Sequence, residues 1–320
     1  MLIFEKRAST ILYKILLTMP KDRYFLLPAN VCPIVVAIFL KAGIRYEFID
    51  ISENTLCIDE MTVLKRLKNA TERYSGILFV RTYGISRNCE SFFCAIKKIS
   101  EQLLVIDDKC LSAPRFEQIK SPCVDVELFS TGATKYASIG WGGYAYADDY
   151  LPYCNNALRQ FDPHKLDVLL GDIKICLQEK TMLSGYDTDW LDGAVPTMTF
   201  CDYMDKVLRE TDYIKPHKET LNKIYRSNLP LHVQLQPGFH DWRFIIVVPE
   251  RNVLLKEIFK QGLFAGTNYP SLSNIFGNTT ARIADTLHNK VLNLFNDACI
   301  SVEQAYRMVK IINAHLDKFA

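Results

Sequence analysis

The chain has 320 residues, of which 49% are hydrophobic and 23% charged, and 38 basic against 36 acidic residues give a net charge of +2. This composition is typical of a globular protein with room for two domains, and its charge balance predicts neither nucleic acid nor an anionic membrane as a partner. The longest uncharged apolar run, 32–40, is half the length that a bilayer span needs, so we expect no membrane segment. Glu5, Lys6, Arg7 and Lys14 interrupt the apolar residues near the start, which argues against a signal peptide.

The ten cysteines are scattered along the chain, with no C-x-x-C pair and no histidine pair at metal-binding spacing. This pattern argues against structural zinc and indicates reduced thiols in a cytoplasmic protein. Cys89 and Cys94 lie nearest to each other in sequence, and we interpret both as core or helix residues.

The first half of the chain alternates predicted helices with short predicted strands. Apolar residues recur at helical spacing from Ile11 to Met19, so we predict an amphipathic helix over 7–19. The next predicted elements are strand 25–28, helix 32–42, strand 45–49, helix 59–67, strand 76–80, helix 90–99, and strands 103–107, 126–129 and 144–147. Alternation of this kind predicts a mostly parallel sheet with flanking helices.

The pattern changes after Asp148. We predict helices over 164–182, 200–211 and 217–227, strands over 231–235 and 242–248, a helix over 251–261, a strand over 291–294 and a last helix over 301–316. Ser301 followed three residues later by Gln304 is a capping-box signature for that last helix. We place a domain boundary at 229–230, with a large domain over 1–229 and a small domain over 230–320.

Polar residues follow two of the predicted strands of the first half. Strand 103–107 runs into Asp107 and Asp108, and strand 126–129 is followed by Ser130 and Lys135. In open α/β sheets ligands bind at the carboxyl ends of the strands, so we expect Asp108 and Lys135 to face one crevice. An amine and a carboxylate in that arrangement suit an aldehyde cofactor with a basic ring nitrogen, namely pyridoxal phosphate. The alternative for Lys135 is an exposed lysine in a loop.

Four stretches of the chain, taken in order, resemble the DegT/StrS-type sugar aminotransferases, a branch of the fold type I pyridoxal-phosphate enzymes. They are 28–32 with Gly43 and Asp50, 79–84 (Phe-Val-Arg-Thr-Tyr-Gly), 105–108 (Val-Ile-Asp-Asp), and 129–143 with Phe129, Ser130, Lys135, Gly142 and Gly143. The segment 291–304 is similar to the closing segment of that family, whereas the resemblance is weak between 150 and 230.

The resemblance implies a role for each matched residue. Lys135 would bond covalently to the cofactor aldehyde and, once released, move the substrate proton. Asp108 would pair with the pyridine nitrogen, with Asp107 as a rival for that contact. Ser130 would donate to the phosphate, or alternatively bond to its own backbone. The helix start around Ser9 and Thr10 would supply further phosphate donors.

The chain also departs from the family pattern. Leu111 stands where the family has a Gln or His that reaches the 3-oxygen of the ring, and Cys32 stands where an aromatic residue stacks on the ring. The family's Gly-Thr phosphate turn corresponds to the stretch 7–10, which begins with Arg7. We expect no counterpart of the family's N-terminal arm, because the first predicted helix begins at the start of the chain.

Other side chains are candidates for the substrate side of the crevice. Arg243 would bind a substrate carboxylate through both of its terminal nitrogens, or else be an edge-strand arginine. Tyr83, Tyr136 and Tyr269 are candidates to line the crevice, although 16 tyrosines make chance placement easy.

These observations predict an α/β protein of fold type I that acts as a homodimeric aminotransferase. The amino donor would be glutamate or glutamine, and the acceptor a keto sugar or nucleotide sugar. Two alternatives stay open: another pyridoxal-phosphate reaction, such as that of a lyase or condensing enzyme, and a non-catalytic homologue that serves as a binding subunit.

Overall fold

The protein is described from a computed structural model, which covers residues 1–117, 120–155, 161–183, 189–277 and 279–319. Its central element is a sheet of seven strands in the order β1-β7-β6-β5-β4-β2-β3. The strands are β1 (Leu2–Glu5), β2 (Tyr24–Pro28), β3 (Arg45–Ile49), β4 (Tyr74–Val80), β5 (Leu104–Asp108), β6 (Val126–Ser130) and β7 (Gly143–Ala147). Strands β2 to β6 pair in parallel, whereas β7 is antiparallel to both of its neighbours. The predicted α/β class with a mostly parallel sheet is therefore confirmed.

Helices cover both faces of this sheet, which is why the inner strand β4 is buried along its whole length. They include α1 (Ala8–Leu16), α2 (Pro33–Lys41), α3 (Glu60–Asn69), α4 (Glu90–Ile99) and α5 (Pro163–Glu179). The apolar stripe predicted for α1 is buried against the sheet, since Ile11 and Leu16 are both fully buried. The Asp59 side chain starts α3 by accepting a hydrogen bond from the Thr62 N–H at 2.8 Å.

A second, smaller sheet forms in the last quarter of the chain. Strands β8 (Phe244–Val247), β9 (Ala265–Gly266) and β10 (Val291–Leu294) pair antiparallel in the order β8-β10-β9. Helices α7 (Arg251–Lys260), α8 (Arg282–Lys290) and α9 (Val302–Leu316) accompany them. The predicted capping box at α9 is confirmed, because Ser301 accepts from the Gln304 N–H and the Gln304 side chain accepts from the Ser301 N–H.

The two helices predicted over 200–211 and 217–227 are one helix, α6 (Phe200–Asn228), which continues through Pro216. Buried residues lie on both sides of the proline, among them Ile214 and Leu221. Continuous burial of one helix face outweighs the hydrogen bond that proline removes. The helix begins in an aromatic cluster with Tyr203 and ends in the core of the smaller sheet with Leu221 and Tyr225.

The strand predicted over 231–235 is wrong. The chain forms a single 3₁₀ turn, Leu231–Val233, and then meets the sheet through an isolated bridge of Gln234 to Ile246 and a hydrogen bond from the Leu235 N–H to the Ile245 carbonyl. Leu231 is 81% exposed, so the apolar alternation that suggested a strand does not correspond to a buried face. The Gln234 side chain donates instead to the Leu229 carbonyl at 2.7 Å, which holds the segment against the end of α6.

Cys94 on α4 and Cys123 in the loop before β6 form a disulfide, with their Cα atoms 5.0 Å apart. This pair corrects the expectation that all thiols are reduced, while eight further cysteines are free. The bond joins α4 to the loop before β6, where Lys97 of α4 also pairs with Asp125, and it connects residues 29 positions apart. No helix in the described parts of the chain has the length and apolar character needed to cross a bilayer.

Candidate active site

A cavity of about 260 Å³ opens at the carboxyl ends of β4, β5 and β6. Val80, Asp108 and Ser130, the last residues of these strands, line it, and the start of α1 and the face of α2 close it from the other side. Cavities of this kind form where parallel strands end and their helices turn away. Lys135 lines the same cavity as Asp108, as the sequence predicted.

Asp108 and Asp107 point to opposite sides of β5, because successive side chains of a strand alternate. Asp108 is 6% exposed, and its Oδ1 accepts a hydrogen bond from the Cys110 N–H at 2.9 Å. Burial raises the pKa of the Asp108 carboxyl, while hydrogen bonds from Cys110 and the charge of Lys135 act in the opposite direction. Asp107 is held by Arg81, whose Nε and Nη2 donate to its two oxygens at 2.8 Å each. The structure therefore brings Asp108 to the cavity and occupies Asp107 elsewhere.

Lys135 lies in the loop between β6 and β7, and the backbone of that loop is tightly constrained. Thr134 has φ +65°, a left-handed conformation that costs energy in a β-branched residue. Its carbonyl accepts a hydrogen bond of 2.7 Å from the indole nitrogen of Trp242, which comes from the segment that leads into β8. The Lys135 N–H donates to the Gly132 carbonyl at 3.3 Å. The position of the lysine thus depends on a contact with the segment that leads into the smaller sheet.

The start of α1 forms one end of the cavity, next to Ser130. Ser9 and Arg7 line this end, and a Cβ atom on Gly143 would lie 2.1 Å from the Ala8 nitrogen. Only glycine at 143 therefore allows β7 to approach the helix start this closely. Thr10 does not line the cavity, because its hydroxyl donates to the Asp192 carbonyl at 2.6 Å. That bond removes Thr10 from the side chains that we propose to contact a phosphate.

The walls of the cavity are mainly apolar. Leu111 lines it at the position where the family has a polar residue, and Val31 and Val35 lie across from the strand ends. Cys32 and Cys110 also line it, and burial raises the pKa of both thiols. A flat ring that enters the cavity would contact aliphatic groups and sulfur rather than water.

The three candidate tyrosines have different positions. Tyr269 lines the cavity, whereas Tyr83 is fully buried and stacks against Tyr269 at a ring-centroid distance of 6.3 Å. Tyr136 lies outside the lining, with the Lys218 ammonium 5.0 Å from its ring. Arg243 is not a lining residue either.

The Arg243 guanidinium is buried and lies 3.8 Å from the ring of Phe295 and 4.3 Å from that of Trp242. Its Nε makes no hydrogen bond to any described residue. The proposed contact with a substrate carboxylate therefore stays a prediction.

Sequence reasoning missed Arg7 and Cys110 as cavity residues. Cys110 sits two positions after Asp108, and the backbone turn that caps the carboxylate brings its side chain inward. The sequence did mark Arg7, because it begins the stretch that corresponds to the family's phosphate turn. Whether its side chain points into the cavity depends on how α1 meets β7, which the sequence does not show.

No protein-family model matches this chain, and no curated protein matches it in sequence. Solved structures do match over almost its whole length. A putative sugar aminotransferase from Streptococcus pneumoniae, Spr1654 in its PLP form, is 16% identical, covers 100% of this chain and 88% of its own, and superposes with a TM-score of 0.70. The aminotransferase TlmJ from Streptoalloteichus hindustanus is 12% identical, with coverage of 100% and 86% and a TM-score of 0.71.

PseC from Helicobacter pylori, an aminotransferase involved in the biosynthesis of pseudoaminic acid, is 18% identical, with coverage of 99% and 87% and a TM-score of 0.68. At such identities the likeness establishes the fold. The chain has the fold of these aminotransferases, and the resemblance predicted from its sequence is confirmed at that level.

Proposed function

We propose that this protein is a pyridoxal-phosphate-dependent aminotransferase that moves an amino group from glutamate or glutamine to a keto sugar. The observation that carries the proposal is that Lys135 and Asp108 line one cavity at the strand ends of an aminotransferase fold. The sugar acceptor is proposed from solved structures that share the fold, among them CalS13 from Micromonospora echinospora, described as a sugar aminotransferase, and Spr1654, described as a putative one.

The residues of the cavity fit the cofactor part by part. Asp108 would pair with the ring nitrogen, Lys135 would bond to the aldehyde carbon, and Ser130 and the start of α1 would hold the phosphate. When bound, the cofactor supplies a ring that accepts the electron pair left on the substrate carbon after proton removal. Cys32 and Leu111 offer apolar surface for the ring faces and edges.

The protein's own groups account for the rest of the chemistry. Burial makes the ionised form of Asp108 costly, so a positively charged ring nitrogen beside it is the partner that would keep it ionised. The Lys135 amine would move the proton of the substrate, since it is the basic side chain at the reacting end of the cavity. The apolar walls would keep water from these groups and strengthen their electrostatic interaction.

We also propose that the protein is a cytoplasmic homodimer and that Arg243 binds a substrate carboxylate. The described part of the cavity offers few polar groups for sugar hydroxyls, so a second copy of the chain would complete the site. Light scattering tests the dimer, and a monomer at micromolar concentration would contradict it.

Leu111 favours a second candidate, which is another pyridoxal-phosphate reaction on the same fold. A leucine cannot donate a hydrogen bond to the 3-oxygen of the ring, and this donor is part of the aminotransferase pattern that the chain resembles. A lyase or condensing enzyme would also use Lys135 and Asp108. A non-catalytic homologue would use neither.

The test is spectroscopic. After incubation with the cofactor and removal of the unbound excess, the purified protein is expected to keep a visible absorbance band, and borohydride should fix the cofactor to Lys135 as a covalent mass adduct. In a separate sample without borohydride, glutamate should convert the cofactor to its pyridoxamine form, which a lyase or condensing enzyme would not do. Lys135→Ala should lose the adduct, whereas Lys215→Ala, at an exposed position of α6, should keep it.

The Asp108→Asn variant should slow the reaction with glutamate about 100-fold, because a charge-assisted hydrogen bond is lost at the ring. Wild-type protein without a band or an adduct would exclude both catalytic candidates. A band that persists in the Lys135→Ala variant without any borohydride adduct would exclude the assigned role of the lysine.

A further inference from the structure

We propose that Arg7 is the cation that binds the cofactor phosphate, and that Gly132 leaves the space in which that phosphate sits. This inference rests on the proposed function, and it gives the cavity selectivity for a phosphorylated cofactor. The ligand group is a phosphate monoester, held between the Arg7 guanidinium and the Ser130 hydroxyl.

Arg7 is the residue directly before α1, and its side chain lines the cavity while 37% of its surface stays exposed. Its Nη1 donates to the Gly140 carbonyl at 3.1 Å, which fixes one side of the guanidinium. Its Nε lies 3.8 Å from Oδ2 of Asp192, too far for a hydrogen bond. Among the described residues, Arg7 therefore pairs with Asp192 at ion-pair distance but has no carboxylate within hydrogen-bond distance, which leaves room at the guanidinium for the oxygens of a ligand.

Asp192 forms an ion pair with this guanidinium, and its hydrogen bonds go to other groups. Its Oδ1 accepts from the Ala194 N–H at 3.1 Å, and its carbonyl accepts from Thr10. The carboxylate therefore orients Arg7 without neutralising it through a direct bond.

Gly132 stands between the two groups that would hold the phosphate. A Cβ atom at this position would lie 3.6 Å from Arg7 Nη1 and 3.6 Å from Ser130 Oγ. The backbone of Gly132 is outside the left-handed region, so the conformation does not demand glycine there. The absence of a side chain instead keeps open the space between a guanidinium and a hydroxyl.

The helix start adds to the same end of the cavity. The first N–H groups of an α-helix have no partner within the helix, and those of α1 begin at Ala8 and Ser9. Ser9 also lines the cavity. An arginine fork matches two phosphate oxygens, so guanidinium, hydroxyl and helix start together suit a dianionic group rather than a neutral one.

The experiment compares pyridoxal phosphate with pyridoxal, which lacks the phosphate, in binding titrations followed by visible absorbance and by quenching of protein fluorescence. Arg7→Gln should weaken binding of pyridoxal phosphate about 10-fold to 100-fold, the range for losing a charge-assisted bond, and leave pyridoxal binding unchanged. Arg7→Lys should lie between wild type and Arg7→Gln, because it keeps the charge and loses the fork. Arg209→Gln, at an exposed position of α6, is the matched control.

Gly132→Ala provides an independent test in case Arg7→Gln does not fold. A methyl group there meets its neighbours at ordinary contact distance, so the fold should be retained while the phosphate space is filled. We expect about tenfold weaker binding of pyridoxal phosphate, and weaker competition by inorganic phosphate, with pyridoxal unaffected.

The results separate the failure of the phosphate-site inference from the failure of the proposed function. If Arg7→Gln or Gly132→Ala weakens pyridoxal phosphate and pyridoxal equally, or weakens neither, the inference is overturned while the band at Lys135 in wild type still supports the proposed function. If wild type shows no band with either compound, the proposed function fails and this inference fails with it.

Discussion

The hydrogen bond from Trp242 to the loop that carries Lys135 can be tested by changing Trp242 to phenylalanine. Trp242 is 2% exposed, and its indole nitrogen donates to the Thr134 carbonyl at 2.7 Å. Phenylalanine keeps a ring beside Tyr83 and Tyr269 but leaves that carbonyl without its donor. Loss of this partly buried hydrogen bond should cost about 0.5–1.5 kcal/mol of unfolding free energy, in addition to the lost ring volume.

A second tryptophan controls for the lost volume. Trp190 is equally buried, and its indole nitrogen has no hydrogen-bond partner among the residues that the structure describes. Trp190→Phe removes the same ring volume without breaking a bond, so Trp242→Phe should lose about 0.5–1.5 kcal/mol more in urea unfolding.

Trp242→Phe should also slow the reaction of Lys135 with the cofactor. Thr134 is held at a positive φ, and without the indole bond this residue should relax and displace the lysine that follows it. We expect the rate of covalent capture of the cofactor to fall about tenfold, because displacement of a reacting group by a fraction of an ångström has effects of this order. Equal stability losses in the two tryptophan variants, together with an unchanged capture rate, would refute the argument.

Two further predictions concern packing and pH. Gly143→Ala should lower stability by about 1–3 kcal/mol and weaken cofactor binding, because the new methyl would lie 2.1 Å from the Ala8 nitrogen. Gly171→Ala, inside α5 with no atom within 4 Å of the new methyl, should be neutral or stabilising in the same unfolding experiment. Burial lowers the pKa of His240 from 6.5 to about 4. Its contribution to stability should therefore be complete above pH 6.5 and fall by about 3 kcal/mol as the pH drops toward 4, and His240→Phe should flatten the measured profile there.

The meeting of Lys135 and Asp108 was predictable because it follows from topology. Strands that alternate with helices form a parallel sheet, and polar residues that directly follow such strands share one edge. The sequence alone did not decide whether Asp107 or Asp108 faces the cavity, because both carboxylates stand at the end of the strand. In the structure Arg81 holds Asp107 on one face of β5. Because successive side chains of a strand alternate, Asp108 lies on the opposite face, towards the cavity.

The predictions that were wrong share one cause, which is packing between segments that lie far apart in the chain. Pro216 predicts a helix break from local rules, and only burial on both sides of it shows why α6 continues. The pairing of Cys94 with Cys123 likewise depends on how α4 meets the loop before β6. Thr10 matched the helix start in sequence, but helical rotation turned its hydroxyl toward Asp192.

Helix α6 has a consequence for any attempt to separate the two predicted domains. At 29 residues it is about 43 Å long, and its two ends belong to different apolar clusters. A fragment cut after residue 229 would carry Leu221, Ile224 and Tyr225 into water without the strands that cover them. The N-terminal fragment should therefore aggregate when expressed alone, and the chain should unfold as a single cooperative unit despite having two sheets.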